Sequence, residues 1–257
     1  VVFVRNILIT IEYDGTNYHG WQRQKNALTI QQLIEESIQK VTGVKAKLIG
    51  SGRTDTGVHA LGQRANFKTE TNIPADRIPL ALNGHLPPDI RIINAVEAQP
   101  DFHARYDVIG KKYRYRIFNR NVPSAVLRNY SCFIPVKLEL DGMKEAAGYI
   151  IGRKDFSSFC SSGSLVRSRT RNVQMLEFRK DGCIIDMSIM ADGFLYNMVR
   201  IIAGTLVEVG RGNLMPEEIK TVLDKRDRRC AGPTLPPQGL FLEEVYYARI
   251  LDTPGAM

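Results

Sequence analysis

The chain has few of the residue patterns that build covalent or metal frameworks. Its cysteines, Cys132, Cys160, Cys183 and Cys230, are scattered, with no C-x-x-C pair. That spacing argues against a zinc site and against a disulfide scaffold in a chain of this size. The histidines, His19, His59, His85 and His103, are equally isolated, so no metal-ligand cluster is expected. No hydrophobic run is long enough for a transmembrane helix. The opening VVFVRNILIT is interrupted by Arg5 and Asn6 and carries no signal-peptide cleavage pattern. Together these absences predict no bound metal and no membrane span, in a reducing, cytoplasmic setting.

Charge of one sign is in excess. Lysine and arginine number 35 against 27 aspartates and glutamates, a net +8 over 257 residues. An anionic partner follows, nucleic acid first and a membrane surface second. The composition, 44% hydrophobic and 24% charged, is ordinary for a folded chain and suits one large domain or two modest ones.

The stretch Gly50 to Gly62, GSGRTDTGVHALG, sets Arg53 and Asp55 in a turn of small residues. Glycine, threonine and serine let a backbone bend sharply and approach a ligand closely. A carboxylate beside a guanidinium stays ionised at neutral pH, which suits nucleophilic or general-base work. The competing reading is structural, since Asp favours turns by bonding its own backbone. Asp55-Thr56-Gly57 also matches the aspartic-protease triplet, but that site needs a second carboxylate sharing a proton, and no second DTG or DSG occurs. Only a symmetric dimer supplies one. The Gly-Lys-Ser/Thr ending of a phosphate-binding loop is missing as well.

In chain order, residues 3–13 read as a strand. Thr29 with Gln32 forms a capping-box pattern that opens a helix to about Lys40, its stripe Ile30, Leu33, Ile34 and Ile38. Strands are expected at 44–49, 63–68 and 90–96, with a helix from Pro74 to about Leu82. The order is β-α-β-β-α-β. KKYRYRIF begins a second half that repeats the order with one extra helix. Its helices run from Asp141 to Ile151, Tyr196 to Val209 and Pro216 to Asp224. A hairpin of 173–179 and 183–190 is joined across Asp181-Gly182, and the last strand is 240–247. The fold class is therefore α+β: two similar halves, 1–107 and 108–257, forming a mixed, mostly antiparallel sheet flanked by helices.

Two further constellations bear on function. On the strand 111–118, Tyr113, Tyr115 and Ile117 share one face, and Lys112, Arg114 and Arg116 the other. Aromatics interleaved with cations suit base stacking and phosphate contact; the alternative is a half-buried strand with a solvated basic face. Arg200 lies in a helix apolar on nearly every side. A buried guanidinium needs an anion, and Asp55 is the candidate. The alternatives are that Arg200 reaches the surface or pairs with Asp192 or Glu208.

These residues resemble a known family. YDGTNYHGWQRQ, GSGRTDTGVHALGQ, FHARYDVIGKKYRYRI, FLYNMVRIIAG and QGLFLEEV are similar, in order and over nearly the whole chain, to the TruA family of tRNA pseudouridine synthases. RTDTGVHA is the most specific of them. The resemblance implies the pseudouridine synthase fold and a cofactor-free isomerisation of uridine to pseudouridine at positions 38, 39 and 40 of the tRNA anticodon stem-loop. It also implies a homodimer in which each tRNA contacts both subunits. It places the catalytic aspartate on Asp55, the base-flipping arginine on Arg53 and the substrate-stacking tyrosine on Tyr113. Arg200 becomes the partner of the catalytic carboxylate. tRNA-contacting segments fall on Phe102, His103, Ala104, Arg105 and Tyr106, and on Leu165 to Arg169, including Arg167, Ser168 and Arg169. Two departures stand out: Ile201 replaces an asparagine found in many relatives, and the segment between Thr170 and Asn172 is short. A non-catalytic RNA-binding protein using the same basic face is the competing function.

Overall fold

The first strand is buried on both faces over residues 6–9, which sets it at the centre of the N-terminal part of the chain. The computed structural model describes residues 4–163 and 166–248. These divide into two compact units, 4–109 with 242–248, and 110–241.

In the first unit, β1 (Arg5–Tyr13) is followed by α1 (Ile30–Thr42), β2 (Ile49–Gly50), β3 (His59–Thr69), α2 (Ile78–Asn83) and β4 (Ile90–Ala98). β1 lies between β3 and β4, antiparallel to both. Ile7, Leu8, Ile9 and Ile11 are fully buried. α1 covers the sheet with Ile30, Ile34 and Ile38, spaced four apart on one face. Burying each such side chain is worth about 1.5–3 kcal/mol. Leu33, expected in that stripe, is only half-buried; Gln31 and Ser37 are buried instead.

Two local expectations are corrected here. Thr29 occupies the N-cap position with extended backbone but makes no capping hydrogen bond, and its buried Oγ1 has no partner. The first helical amides are met from elsewhere: Ile30 N donates to Gly20 O and Gln31 N to Trp21 O. The capping box is replaced by a docked backbone. The strand expected at 44–49 shrinks to Ile49–Gly50. Helix side chains capture the preceding backbone, Glu35 Oε1 accepting from Leu48 N and Gln31 Nε2 donating to Leu48 O.

In the second unit the elements are β5 (Val108–Asn119), which begins at the boundary, β6 (Cys132–Ile134), α3 (Leu140–Gly148), β7 (Gly152–Asp155), β8 (Thr170–Asp181), β9 (Ile184–Ala191), α4 (Met198–Gly210) and α5 (Glu218–Lys225). The strands run β5-β9-β8-β7, all antiparallel, and β6 adds to β5 in parallel. Short β6 and β7 escape the sequence pattern. β5 alternates as expected: Tyr113, Tyr115 and Ile117 are buried, while Lys112, Arg114 and Arg116 are half-exposed. The β8–β9 turn is shifted by one residue. Asp181 pairs with Ile184, so the two-residue loop is Gly182-Cys183. Gly182, at φ 55, takes the first central position that a II′-type turn reserves for glycine.

β10 (Leu240–Tyr247) is the last strand among the described residues. From Leu242 onward it belongs to the first unit, beside β3, rather than to the second half as the sequence order suggested. Tyr247 is the reason: its ring packs edge-on to Phe102 at 5.1 Å and its hydroxyl donates to Ala104 O at 2.8 Å. Both units thus carry a mixed or antiparallel sheet flanked by helices, the fold class read from the sequence. Among the described residues no helix is long and apolar enough to cross a membrane.

α4 is apolar nearly all round, and one glycine explains how closely it is approached. A Cβ on Gly204 would lie 1.9 Å from Pro233 O. Gly204→Ala is therefore expected to destabilise the chain by about 1–3 kcal/mol through overpacking. A lowered thermal midpoint in calorimetry checks this; an unchanged midpoint refutes the close packing.

Candidate active site

The turn carrying Asp55 rests on the segment that follows β1. Trp21 N donates to Thr54 O at 3.1 Å, and Gly57 N to Tyr18 O at 3.4 Å. Tyr13 OH and Thr54 Oγ1 share a buried hydrogen bond of 2.7 Å. Gly20, at φ +80, leaves no room for a side chain: a Cβ there would sit 2.4 Å from Thr54 O. Trp21 and Tyr18 are buried beneath the turn. The two glycine-containing motifs, separate in sequence, are one interlocked structure.

From the strand side, the fully buried Gln63 holds the turn's entry. Its Oε1 accepts from Ser51 Oγ at 2.6 Å, and its Nε2 donates to Gly52 O at 3.1 Å. Next to it a bulge re-aims the strand. Ile11 pairs with Gln63 but Tyr13 with Ala60, one extra residue on β3. Burial pushes the Tyr13 phenol well above its usual range, with Thr54 and Gln63 pulling the other way, so it stays protonated. At the turn's exit the buried His59 Nδ1 lies 3.1 Å from both Gly15 N and Asp14 Oδ1. One nitrogen cannot accept from the first and donate to the second. The Gly15 amide can only donate, so Nδ1 is the acceptor, and the donors to Asp14 Oδ1 are Thr16 N and Oγ1.

Asp55 itself is half-buried at the crest of this turn, and its carbonyl accepts Val58 N at 3.1 Å. Arg53 is exposed and directs Nε to Gln22 Oε1 at 3.2 Å. Gln22 is held in turn by Gln31, which donates to Glu35. In the 102–106 segment, Phe102 and Ala104 are buried, His103 is half-exposed, and Arg105 and Tyr106 are exposed. His103 stacks on Tyr106 at 4.2 Å, with Arg105 over the same ring at 5.8 Å. This exposed trio is anchored by buried amides that sequence reading missed. Asn6 and Asn66 both donate to Phe102 O, and Asn66 accepts Ala104 N. Nothing local marks them: an asparagine in a strand interior is the only signal.

In the second unit Tyr113 is buried on β5, edge-on to Phe194 at 5.1 Å. Beneath it Tyr115 OH donates to Pro236 O. Burial raises the pKa of Tyr115 and of neighbouring Cys132, so both remain protonated. The basic face of β5 is partly committed to structure: Arg116 grips Asp186 with two bonds of 2.8 Å, and Arg114 lies over Phe241. Arg200 on α4 is half-buried. Its Nε donates to Leu235 O at 2.7 Å and its Nη1 to Asn197 Oδ1 at 2.8 Å. The two acids weighed as its alternatives have other partners: Glu208 takes Arg211 and Asn213, and Asp192 takes Asn172 N. Arg167, Ser168 and Arg169 are exposed; Leu165 lies outside the described residues. No group of three or more His, Cys, Asp or Glu side chains among the described residues is arranged to hold a metal.

The fold is α+β, and comparison with known proteins gives its class. The profile of the tRNA pseudouridine synthase family matches residues 9–107 and 146–248. Over 244 residues the chain is 53% identical to tRNA pseudouridine synthase A of Caldicellulosiruptor bescii and 51% identical to that of Acetivibrio thermocellus. Each alignment covers 95% of this chain and 100% of the relative. tRNA pseudouridine synthase A 2 of Clostridium perfringens is 50% identical with the same coverage. The chain belongs to the tRNA pseudouridine synthase family. It is an isomerase that makes pseudouridine in tRNA.

The bracing of the turn is testable through Gln63. Gln63→Met keeps the shape but leaves Gly52 O and Ser51 Oγ without their amide partner. A loss of about 1–3 kcal/mol is expected. Urea unfolding and faster hydrogen exchange at residues 51–58 would report it; wild-type exchange would refute the role.

Proposed function

We propose that the chain isomerises uridine at positions 38, 39 and 40 of the tRNA anticodon stem-loop, with Asp55 as the catalytic group. The observation that carries this reading is the half-buried Asp55 on a turn braced by Thr54, Trp21, Tyr18 and Gln63, within the motif the family resemblance singles out. The reaction breaks the N1–C1′ bond, rotates the uracil and joins C5 to C1′. The product has the atoms of the substrate, less the C5 proton and plus one at N1. A uracil inside a stem is unreachable, so it is first flipped out. Arg53, exposed and two residues from Asp55, fills the space it leaves and contacts phosphate. Tyr113 stacks on the extruded base, a contact worth about 1–3 kcal/mol, and its hydroxyl assists removal of the C5 proton.

Asp55 attacks C1′ of the flipped nucleotide and expels uracil through N1, and C5 of the rotated base then displaces the carboxylate from C1′; attack at C6 of the uracil is the alternative first step. Arg200 neutralises the carboxylate. His103, Arg105 and Tyr106, with Arg167, Ser168 and Arg169, contact the tRNA backbone. Phe102 and Ala104 support that segment from within. The resemblance further supports a cytoplasmic homodimer in which each tRNA touches both subunits.

Asp55→Asn is expected to bind tRNA with wild-type affinity and to release no tritium from 5-tritiated uridine in tRNA. Wild-type-like release by the variant would overturn the catalytic assignment. Arg53→Ala is expected to cut turnover far more than stability. Activity lost only in proportion to the unfolded fraction would remove Arg53 from base flipping. Mapping pseudouridine in treated tRNA decides the positions: modification confined outside 38–40 would sink the substrate assignment.

A further inference from the structure

We propose that Asn197 is a positioning residue for Arg200, its amide oxygen fixing the direction of the guanidinium from a left-handed backbone position. The inference rests on the role given to Arg200 above.

Asn197 precedes α4 at φ 60, ψ 9. With Arg226 it is one of two non-glycine residues at positive φ among those described. A residue at the start of a helix ordinarily has extended backbone and caps the helix with its side chain. Asn197 does neither, for its side chain makes no capping bond. Asparagine tolerates the left-handed region better than most residues, but glycine tolerates it better still. A side chain kept at such a position calls for a use.

That use is visible. Asn197 Oδ1 accepts from Arg200 Nη1 at 2.8 Å, and its Nδ2 lies 3.0 Å from Ser161 Oγ. Turning the amide over would set Nδ2–H against the guanidinium N–H groups, donor against donor, so the oxygen faces Arg200. The second hold is Leu235, whose carbonyl takes Arg200 Nε at 2.7 Å while its amide donates to Arg200 O at 3.3 Å. Two acceptors on adjacent nitrogens of a planar fork leave it little freedom to rotate. The remaining N–H groups of Arg200 therefore point in a direction set by Asn197 and Leu235.

Three variants separate position from backbone. Asn197→Gly keeps the left-handed conformation and removes the acceptor. Asn197→Ala removes both. Asn197→Asp keeps an acceptor toward Arg200. In steady-state kinetics with tRNA, Asn197→Gly is expected to lower kcat about tenfold, the loss of one hydrogen bond to a charged group, with KM and thermal midpoint near wild type. Asn197→Asp is expected to recover most of kcat. Wild-type kcat in Asn197→Gly would show a backbone device only and overturn the proposal. So would a fall in kcat that tracks a lowered midpoint across Asn197→Gly and Asn197→Ala. Arg200→Lys, run alongside, separates the two layers: wild-type kcat there removes Arg200 itself from the reaction. An impaired Arg200→Lys beside an unimpaired Asn197→Gly removes Asn197 alone.

Discussion

The hydrogen bond from Trp21 N to Thr54 O is the contact on which the placement of the Asp55 turn depends. It forms only because Gly20 has no side chain and a positive φ, which lets two backbones meet where a Cβ would collide. The same segment receives the first two amides of α1 at Gly20 O and Trp21 O. Helix, loop and the Asp55 turn thus share one hydrogen-bonded seam. Tyr13 and Gln63 close it from the sheet side. Asp55 is half-exposed, while Thr54, Trp21, Tyr18 and Gln63, which brace its turn, are buried.

The second unit solves a similar problem with different means. Here the guanidinium of Arg200 is held on a helix that is apolar over most of its surface. The segment 232–236 lies so close to α4 that Gly204 is needed beneath it, and from there Leu235 and Pro236 reach Arg200 and Tyr115. Main-chain carbonyls, which do not titrate and hardly move, hold both side chains. The cations of β5 divide their duties. Arg116 is spent on Asp186, a pairing that keeps the strand's outer face in register with β9.

Local periodicity was legible; long-range capture was not. The alternation of β5 and the four-residue spacing of Ile30, Ile34 and Ile38 follow from geometry that each residue carries with it. Thr29 misled because its capping role was taken by carbonyls eight or nine residues upstream, which no local pattern reveals. Residues 44–48 misled because apolar composition says nothing about Gln31 and Glu35 claiming Leu48's backbone. Asp55 stood out through the turn around it, whereas Asn6, Asn66 and Gln63, which hold the loops in place, look like ordinary polar strand residues. Asn197 was hidden for the same reason: its left-handed backbone is imposed by what surrounds it, and helical patterning simply ran through it to Tyr196.

The placement of β10 has a consequence for biosynthesis. A ribosome delivers Tyr247 143 residues after Ala104, yet that ring and hydroxyl secure Phe102 and Ala104. Domains generally mature as they emerge, but this one must wait, its nascent sheet short of a strand until the whole of the second unit has been translated. A polypeptide terminated prematurely before Leu242 would therefore lack the support for the loop bearing Arg105 and Tyr106.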